Sequence, residues 1–400
     1  MPSAPPGVDI VRFDTTDQSL RFRDVDLFDA VHRAGGIAWT ESAGGMWVVG
    51  RFDLIWKIGN DMRFRSGDGV RFPPSGAPKV PALEYDRPAH TAHRKLLSSA
   101  VGIRAVRPLE GMVRRHAQRL LSRWSESTVA DLGRDYAFPM PLDVIFSIVG
   151  APDGIKERVN ELTESLFLYR TPMRDGSDPT VGIRELLDGL IADKLANPGE
   201  DWLSSVVTGR RVAGVELADS EIRGAILAML AGGHHSTSRG IACLLAEIVQ
   251  DPALQQRLRA DPASIPAMAE ESLRRHTPLR WFARTASEDV EIEGRMIRRH
   301  DRVYLLYGAG NLDPLAFDAP RSLSPGGRKN AAHLAFGAGM HRCVGMPLAQ
   351  LELKVAVEEI LAHSDDIVLD GEINWTSLVE PRHIPVRLCG FTRPAVCGDV

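Results

Sequence analysis

The sequence predicts a mainly α fold with a minor β component, and three observations predict it. Helical periodicity dominates from about residue 104 to 276. A single short region, 290–307, alternates apolar and polar residues as paired strands do. A glycine-rich loop at 336–345 runs directly into one more amphipathic helix.

Along the chain, the first hundred residues mix short β-prone pieces such as GMWVVGRF, 45–52, with Gly/Pro-rich loops. The stretch RSGDGVRFPPSGAPKVP, 65–81, has too many Gly and Pro residues for regular structure and is expected to be a long surface loop of the kind that binds ligands. Next come RAVRPLEGMVRRHAQRLLSRW, 104–124, and a long helical segment from Asp219 to about 250. VEIEGRMIRRHDRVYLLY, 290–307, reads as strands paired around Gly294. A Pro/Gly/Asn-rich stretch, 313–332, then leads into HLAFGAGMHRCVGMPLAQLELKVAVEEILAH. There is no internal repeat and no clear linker.

Composition narrows the function classes. The chain has 400 residues, 44% of them hydrophobic and 25% charged, which is ordinary for a globular protein. A net charge of −4 offers no general basis for nucleic-acid binding. MPSAPPGVDIVRFDTTDQ lacks the basic-then-apolar pattern of a signal peptide, and no run approaches membrane-spanning length, so a soluble, cytoplasmic protein without membrane association is expected. Cys243, Cys343, Cys389 and Cys397 form neither a CxxC pair nor a zinc-ligand spacing.

Cys343 stands apart because of its neighbours in FGAGMHRCVG, 336–345. Gly337 and Gly339 permit close backbone approaches that a Cβ would block. The helix that follows, VGMPLAQLELKVAVEEIL, has Pro347 near its first turn, where proline is tolerated. Cys343 therefore precedes a helix N-terminus, whose positive end favours a thiolate and whose free amides can hydrogen-bond the sulfur. A thiolate presented this way is a plausible axial ligand for haem iron.

FGAGMHRCVG resembles the haem-binding signature of the cytochrome P-450 family, with Phe336, Gly337, Gly339, His341, Cys343 and Gly345 at its defining places. EESLR, 270–274, resembles the family's Glu-x-x-Arg helix motif, and DRPAHTAHRKLL, 86–97, is similar to its haem-contacting helix. The resemblance implies a single cytochrome P-450 domain over 1–400, with haem b between the oxygen-binding helix and the helix after the cysteine loop. Length alone would have suggested two or three domains.

The resemblance assigns Cys343 to iron and Phe336 and Gly345 to the cofactor-binding loop. His90 and Arg94, four apart on one helix face, join Arg284 and His341 as partners for the haem propionates. Glu271 and Arg274 are implied to brace the core beside the haem together with a later arginine, Arg328, although APRSLSPGGR lacks the usual aromatic.

LAMLAGGHHSTSRGIACLLAEI, 228–249, places histidines and a serine inside an apolar helix. It resembles the family's oxygen-binding helix, where an acid followed by threonine manages protons for dioxygen. Aligning Gly232 and Gly233 on the family's small residues puts His235 at the acid position and Ser236 at the alcohol position. Ser236 can supply the hydroxyl, and a histidine can carry a proton near neutral pH. Three readings stay open: His235 relays protons, the relay is lost and substrate or water supplies them, or a histidine (His234 included) approaches the iron or merely packs.

The implied activity is a haem-thiolate monooxygenase acting on a small hydrophobic molecule. The alternatives are oxidative coupling, desaturation or peroxide-driven oxidation, and a disabled haem-binding ligand sensor. Phe167, Tyr169, Leu279, Trp281 and Phe282 are candidate pocket residues, and Arg170 and Arg174 are candidate contacts to an acidic substrate group. The expected partners are a ferredoxin and ferredoxin reductase. Arg104, Arg107, Arg114, Arg115 and Arg342 are candidates for a basic docking face.

Overall fold

The structure, a computed structural model, describes residues 4–72, 77–125, 129–169, 173, 175–212, 214–323 and 332–395. The N-terminal part runs α1 (Leu20–Arg33), β1 (Ile37–Thr40), β2 (Met46–Val49), α2 (Phe52–Asn60) and β3 (Phe64–Arg65). Then come α3 (Ala89–Val101), α4 (Ile103–Val106), α5 (Glu110–Leu121), β4 (Val129–Asp131) and α6 (Pro139–Val149). Next, α7 (Lys156–Thr163) continues into a π-helical turn over Glu164–Tyr169, followed by α8 (Pro179–Ala196), α9 (Trp202–Gly209) and the small hairpin β5 (Arg211–Val212) and β6 (Val215–Glu216).

The central helices are α10 (Asp219–Gly232), α11 (His235–Gln250), α12 (Pro252–Ala260) and α13 (Ile265–His276). β7 (Phe282–Ala286), β8 (Val290–Ile292), β9 (Arg295–Ile297), β10 (Arg302–Leu305) and α14 (Tyr307–Asn311) follow. The C-terminal part holds α15 (Met346–Ala362), β11 (Asp366–Leu369), β12 (Asn374–Ser377), β13 (Glu380–His383) and β14 (Pro385–Cys389).

The largest sheet has the order β1-β2-β10-β7-β3, parallel only between β2 and β10. The alternation around Gly294 closes as the hairpin β8–β9, whose turn residues Glu293 and Gly294 have φ of 51° and 72°. β10 does not extend that hairpin and instead joins the larger sheet beside β2 and β7.

One apolar core links α3, α5, α6, α10, α11, α13 and α15. α11 is buried on nearly every face, from Ile241 through Leu245 to Ile248, which explains why its sequence reads as apolar all round. The expected continuous helix over 219–250 is instead two helices, interrupted at Gly233 and His234. His234 has φ −124° and ψ −52°, and its Nδ1 lies 2.6 Å from the carbonyl oxygen of Leu230, four residues back. A side chain competing for the i−4 carbonyl is a recognised cause of a helix break. Gly233 is needed there, because a Cβ would lie 2.5 Å from Ile145 of α6.

Candidate active site

A cavity of about 1340 Å³, counting its mouth, lies between the α10–α11 break and the start of α15. Gly232, Gly233, Ser236 and Thr237 line one wall, and Phe336, Gly337, Cys343, Val344 and Gly345 line the opposite one. Leu97, Val101, Ile145, Met229, Leu279 and Phe282 make much of the remainder apolar.

The cysteine wall is built by backbone. The Cys343 N–H donates to Phe336 O at 2.8 Å and Gly337 N–H to Leu334 O at 2.8 Å, closing the loop on itself. Gly337 and Gly339 take φ of 72° and 69°. α15 then starts at Met346, with Gly345 before it and proline in the first turn, as the sequence predicts. The N–H groups of Gly345 and Met346 point at the Cys343 sulfur, as do the charges of Arg94 and Arg342. Burial nevertheless pushes the thiol up from its ordinary value, so the donors offset only part of that cost until a cation binds the sulfur.

One side of the cavity collects positive and donor groups. Arg94 and Arg284 both line it, and Arg284 is only 2% exposed. The guanidinium of Arg94 donates to carbonyl oxygens of Arg342 at 2.7 Å and Met340 at 3.3 Å. That of Arg284 donates to Ala283 O at 2.8 Å. Among the described residues neither has a carboxylate within ion-pair distance. His90 and His341 meet edge to face, ring centroids 4.8 Å apart, and the Nε2 of each is buried without a hydrogen bond among the described residues; Asp86 Oδ1 lies 3.8 Å from that of His341. His341 Nδ1 faces Ala82 O at 3.1 Å and must carry its proton there. Burial, with Arg284 nearby, pulls His341 down to about 4; burial also lowers His90, with Arg94 next. The site thus has one buried and one half-buried cation, beside two imidazoles whose Nε2 atoms make no hydrogen bond among the described residues, with Asp86 near that of His341.

The two histidines of the helix break turn away from this cavity, while Ser236 and Thr237 line it. His235 Nε2 lies 2.7 Å from Thr163 Oγ1 on α7, and His234 Nε2 lies 3.3 Å from Asn160 Oδ1 on the same helix. Their rings are 3.7 Å apart. Burial brings His234 down to about 4 and holds His235 well below its ordinary value, so both are neutral at pH 7. His235 therefore differs from the freely titrating group its sequence position suggests. Neither Asn160 nor Thr163 carries any motif; only the tertiary contact marks them.

Glu271 and Arg274 form a fully buried bidentate pair, with both hydrogen bonds 2.8 Å. Arg274 also donates to Asn311 O and Pro320 O at 2.7 Å, so carbonyls of the following loops complete its shell. Arg328 lies outside the described residues, as do Arg170, Arg174, Cys397 and the side chain of Tyr169.

Leu279 and Phe282 face the cavity. Phe167 and Trp281 line an adjoining, more polar space that shares Pro278 and Leu279 with it. Arg71, which no motif singles out, sits between these spaces, its guanidinium 5.4 Å from the Phe167 ring and 5.3 Å from that of Phe282. Of the arginines expected to form a basic face, Arg104, Arg107, Arg115 and Arg342 are exposed. Arg114 is instead bound by Glu110, Glu358 and Glu359, and its charge is neutralised locally.

The cytochrome P450 family model matches residues 198–365, which include α10, α11, α13 and the cysteine loop. Erythromycin C-12 hydroxylase of Saccharopolyspora erythraea is 32% identical over 359 residues, covering 86% of this chain and 89% of the hydroxylase. The chain belongs to the cytochrome P450 family.

This P450 is also 29% identical to nocardicin C N-oxygenase of Nocardia uniformis subsp. tsuyamanensis, with 88% of each chain covered. Its fold matches a solved mutant of P450 EryK in complex with erythromycin B, at TM-score 0.79 and 29% identity over 94% of this chain and 99% of that one. It also matches P450BioI in complex with hexadec-9Z-enoic acid ligated acyl carrier protein, at TM-score 0.81 and 25% identity over 92% and 100%. The helix-rich architecture with small sheets is that of the bacterial P450s. As a P450 monooxygenase the chain takes a haem-iron cofactor and works with redox partners on a small molecule. The residues fit that cofactor: a cavity-facing sulfur surrounded by donors on one wall, and at its side two guanidinium groups without a carboxylate partner and two imidazole Nε2 atoms without a hydrogen bond among the described residues. No helix among the described residues is long and apolar enough to cross a membrane.

Proposed function

We propose that this P450 binds haem b and inserts one oxygen atom of O2 into a small, largely hydrophobic organic substrate, drawing electrons from a ferredoxin and its reductase. The observation that carries this reading is Cys343 facing Ser236 across a mainly apolar cavity, with Arg94, Arg284, His90 and His341 gathered at one side. Haem bound there supplies the oxygen-activating iron chemistry.

Each residue has a stated task. Cys343 ligates iron through its thiolate, which the N–H groups of Gly345 and Met346 stabilise. Phe336 and Gly345 form the walls beside that sulfur. Arg94 and Arg284 neutralise the propionates, and the Nε2 atoms of His90 and His341 can donate to them once the imidazoles take up a second proton, which the propionate charge favours. Ser236 holds a proton at its hydroxyl on the cavity wall, and His235, the next residue back and anchored on Thr163, orients water for that hydroxyl without itself supplying the proton. Leu279, Phe282 and Met229 exclude water and bind the apolar substrate. Relatives named for hydroxylating erythromycin and N-oxygenating nocardicin C support an organic small molecule as substrate. The exposed Arg104, Arg107, Arg115 and Arg342 suit an acidic ferredoxin.

The test is spectral first and isotopic second. Reduced protein under carbon monoxide is expected to give the strongly red-shifted Soret band of a thiolate on iron, lost in Cys343→Ser. A nitrogen-ligated, low-spin protein that refuses carbon monoxide would put a histidine on iron and overturn the assignment. With labelled dioxygen and a ferredoxin system, one labelled atom is expected in product. Unlabelled product would move the reading to coupling or desaturation.

A further inference from the structure

We infer that Thr163 and Asn160 of α7 are positioning residues that lock the buried histidine pair into fixed, opposite tautomers, so that His235 works as a hydrogen-bond acceptor through Nδ1 and not as a proton donor. The inference deepens the reading of Ser236 and His235 as the proton-handling pair and rests on it.

The argument is donor accounting. Thr163 Oγ1 has one proton and lies 2.7 Å from Val159 O, 3.2 Å from Asn160 O and 2.7 Å from His235 Nε2. We assign the one hydroxyl proton to Val159 O, at 2.7 Å and with Asn160 O also within reach, which leaves the oxygen to accept from the imidazole. His235 therefore carries its proton on Nε2. Its Nδ1 keeps a lone pair and has no protein partner among the described residues.

The accounting for His234 gives the other tautomer. Leu230 O, 2.6 Å from Nδ1, can only accept, so the proton is on Nδ1. A neutral His234 then presents a lone pair at Nε2, and Asn160 must turn its amide NH2 toward it, exchanging the assigned oxygen and nitrogen. The two rings, 3.7 Å apart and almost fully buried, penalise a second positive charge.

The surroundings do not reverse this. Arg239, Arg382 and Arg71 all disfavour a charged His235. Glu380 is held by Arg239 and Arg382, and Glu164 by Arg382. A proton leaving His235 through Thr163 would meet only carbonyl oxygens, so that side is closed to transfer. What remains is a fixed acceptor one residue from Ser236, suited to orienting a water. Because both anchors sit on α7, which runs into the π-helical turn carrying Phe167, the lock also ties the helix break to the wall of the substrate side.

The test uses the haem-loaded protein in its diamagnetic reduced, carbon monoxide-bound state, with 15N-labelled histidine. His234→Gln and His235→Gln variants assign the two sets of ring signals. The expected result is a proton on Nδ1 of His234 and on Nε2 of His235, with neither titrating between pH 5.5 and 8.5, a window of about one unit below and about two above the usual histidine value. A proton on Nδ1 of His235, or titration near its ordinary value, overturns the lock. Thr163→Val is expected to mix the His235 tautomers and lower kcat about tenfold, the factor one lost buried hydrogen bond carries. Thr163→Ser should restore both, whereas unchanged tautomers in Thr163→Val would refute the positioning role. If Ser236→Ala retains full coupling of electrons to product, the proton-handling reading fails separately, whatever the tautomers show.

Discussion

Gly339 of the cysteine loop crosses Gly59 at the end of α2 so closely that a Cβ on Gly339 would lie 1.8 Å from the Gly59 carbonyl oxygen. Backbone cannot retreat as a side-chain tip can, and Gly339 also has φ of 69°. The loop that presents Cys343 is thus seated against the N-terminal part of the chain. Gly339→Ala is expected to displace the loop and abolish haem incorporation, measured as haem absorbance per mole of purified protein. Gly337→Ala is the control: its nearest neighbour would be 3.7 Å away, so only its φ of 72° is penalised, at about 1–2 kcal/mol. Equal haem content in the two variants would show that the crossing does not matter.

Arg284 should behave oppositely with and without cofactor. It is buried without a carboxylate among the described residues, so protein prepared without haem carries an unpaired cation there. Arg284→Met is expected to raise the melting temperature of haem-free protein. The same change should weaken haem binding by about tenfold to a hundredfold, the loss of one charge-assisted hydrogen bond. Haem transfer to apomyoglobin measures the second effect. Unchanged transfer would remove Arg284 from the cofactor site.

Arg274→Ala leaves Glu271, which is 0% exposed, without its bidentate partner. A destabilisation of about 3–5 kcal/mol is expected by denaturant unfolding. Arg274→Lys should recover little, because one ammonium cannot reproduce the fork that also reaches Asn311 O and Pro320 O.

Glu352 on α15 is fully buried, with both carboxylate oxygens unpartnered among the described residues, and burial raises it well above its ordinary 4.5. The folded protein therefore keeps the proton over a pH range where the unfolded chain has lost it. Stability falls as pH rises above 4.5, by up to about 1.4 kcal/mol per unit until the folded group ionises. Glu352→Gln removes this dependence. Melting curves should show the variant gaining on the parent from pH 5 upward, with no gain below pH 4, bounds set about half a unit either side of the ordinary value. Parallel pH profiles would mean that the carboxylate finds a charged partner.

The cofactor side of this P450 is legible in the chain because the residues involved are bound by local backbone demands. FGAGMHRCVG needs its glycines for positive φ and a close crossing, and the following helix needs a start at Met346. His90 and Arg94 share a helix face by spacing alone, and Glu271 meets Arg274 in the same way. Such constraints act over a few residues and leave their mark in order and spacing.

The sequence by itself determined the mainly α class, the cysteine loop and the family. Only the tertiary structure decided what the histidines of 234–235 do and where their protons sit. Their partners, Asn160 and Thr163, are 74 and 72 residues away and belong to no motif. Burial then moves both imidazoles out of the titrating range, a property that depends on the surrounding protein and not on residue type. Arg114 shows the same limit: a basic residue in the chain, it is neutralised by Glu358 and Glu359 from a helix more than two hundred positions later. Local geometry is written in neighbouring residues, whereas electrostatics sums over whatever the fold brings near.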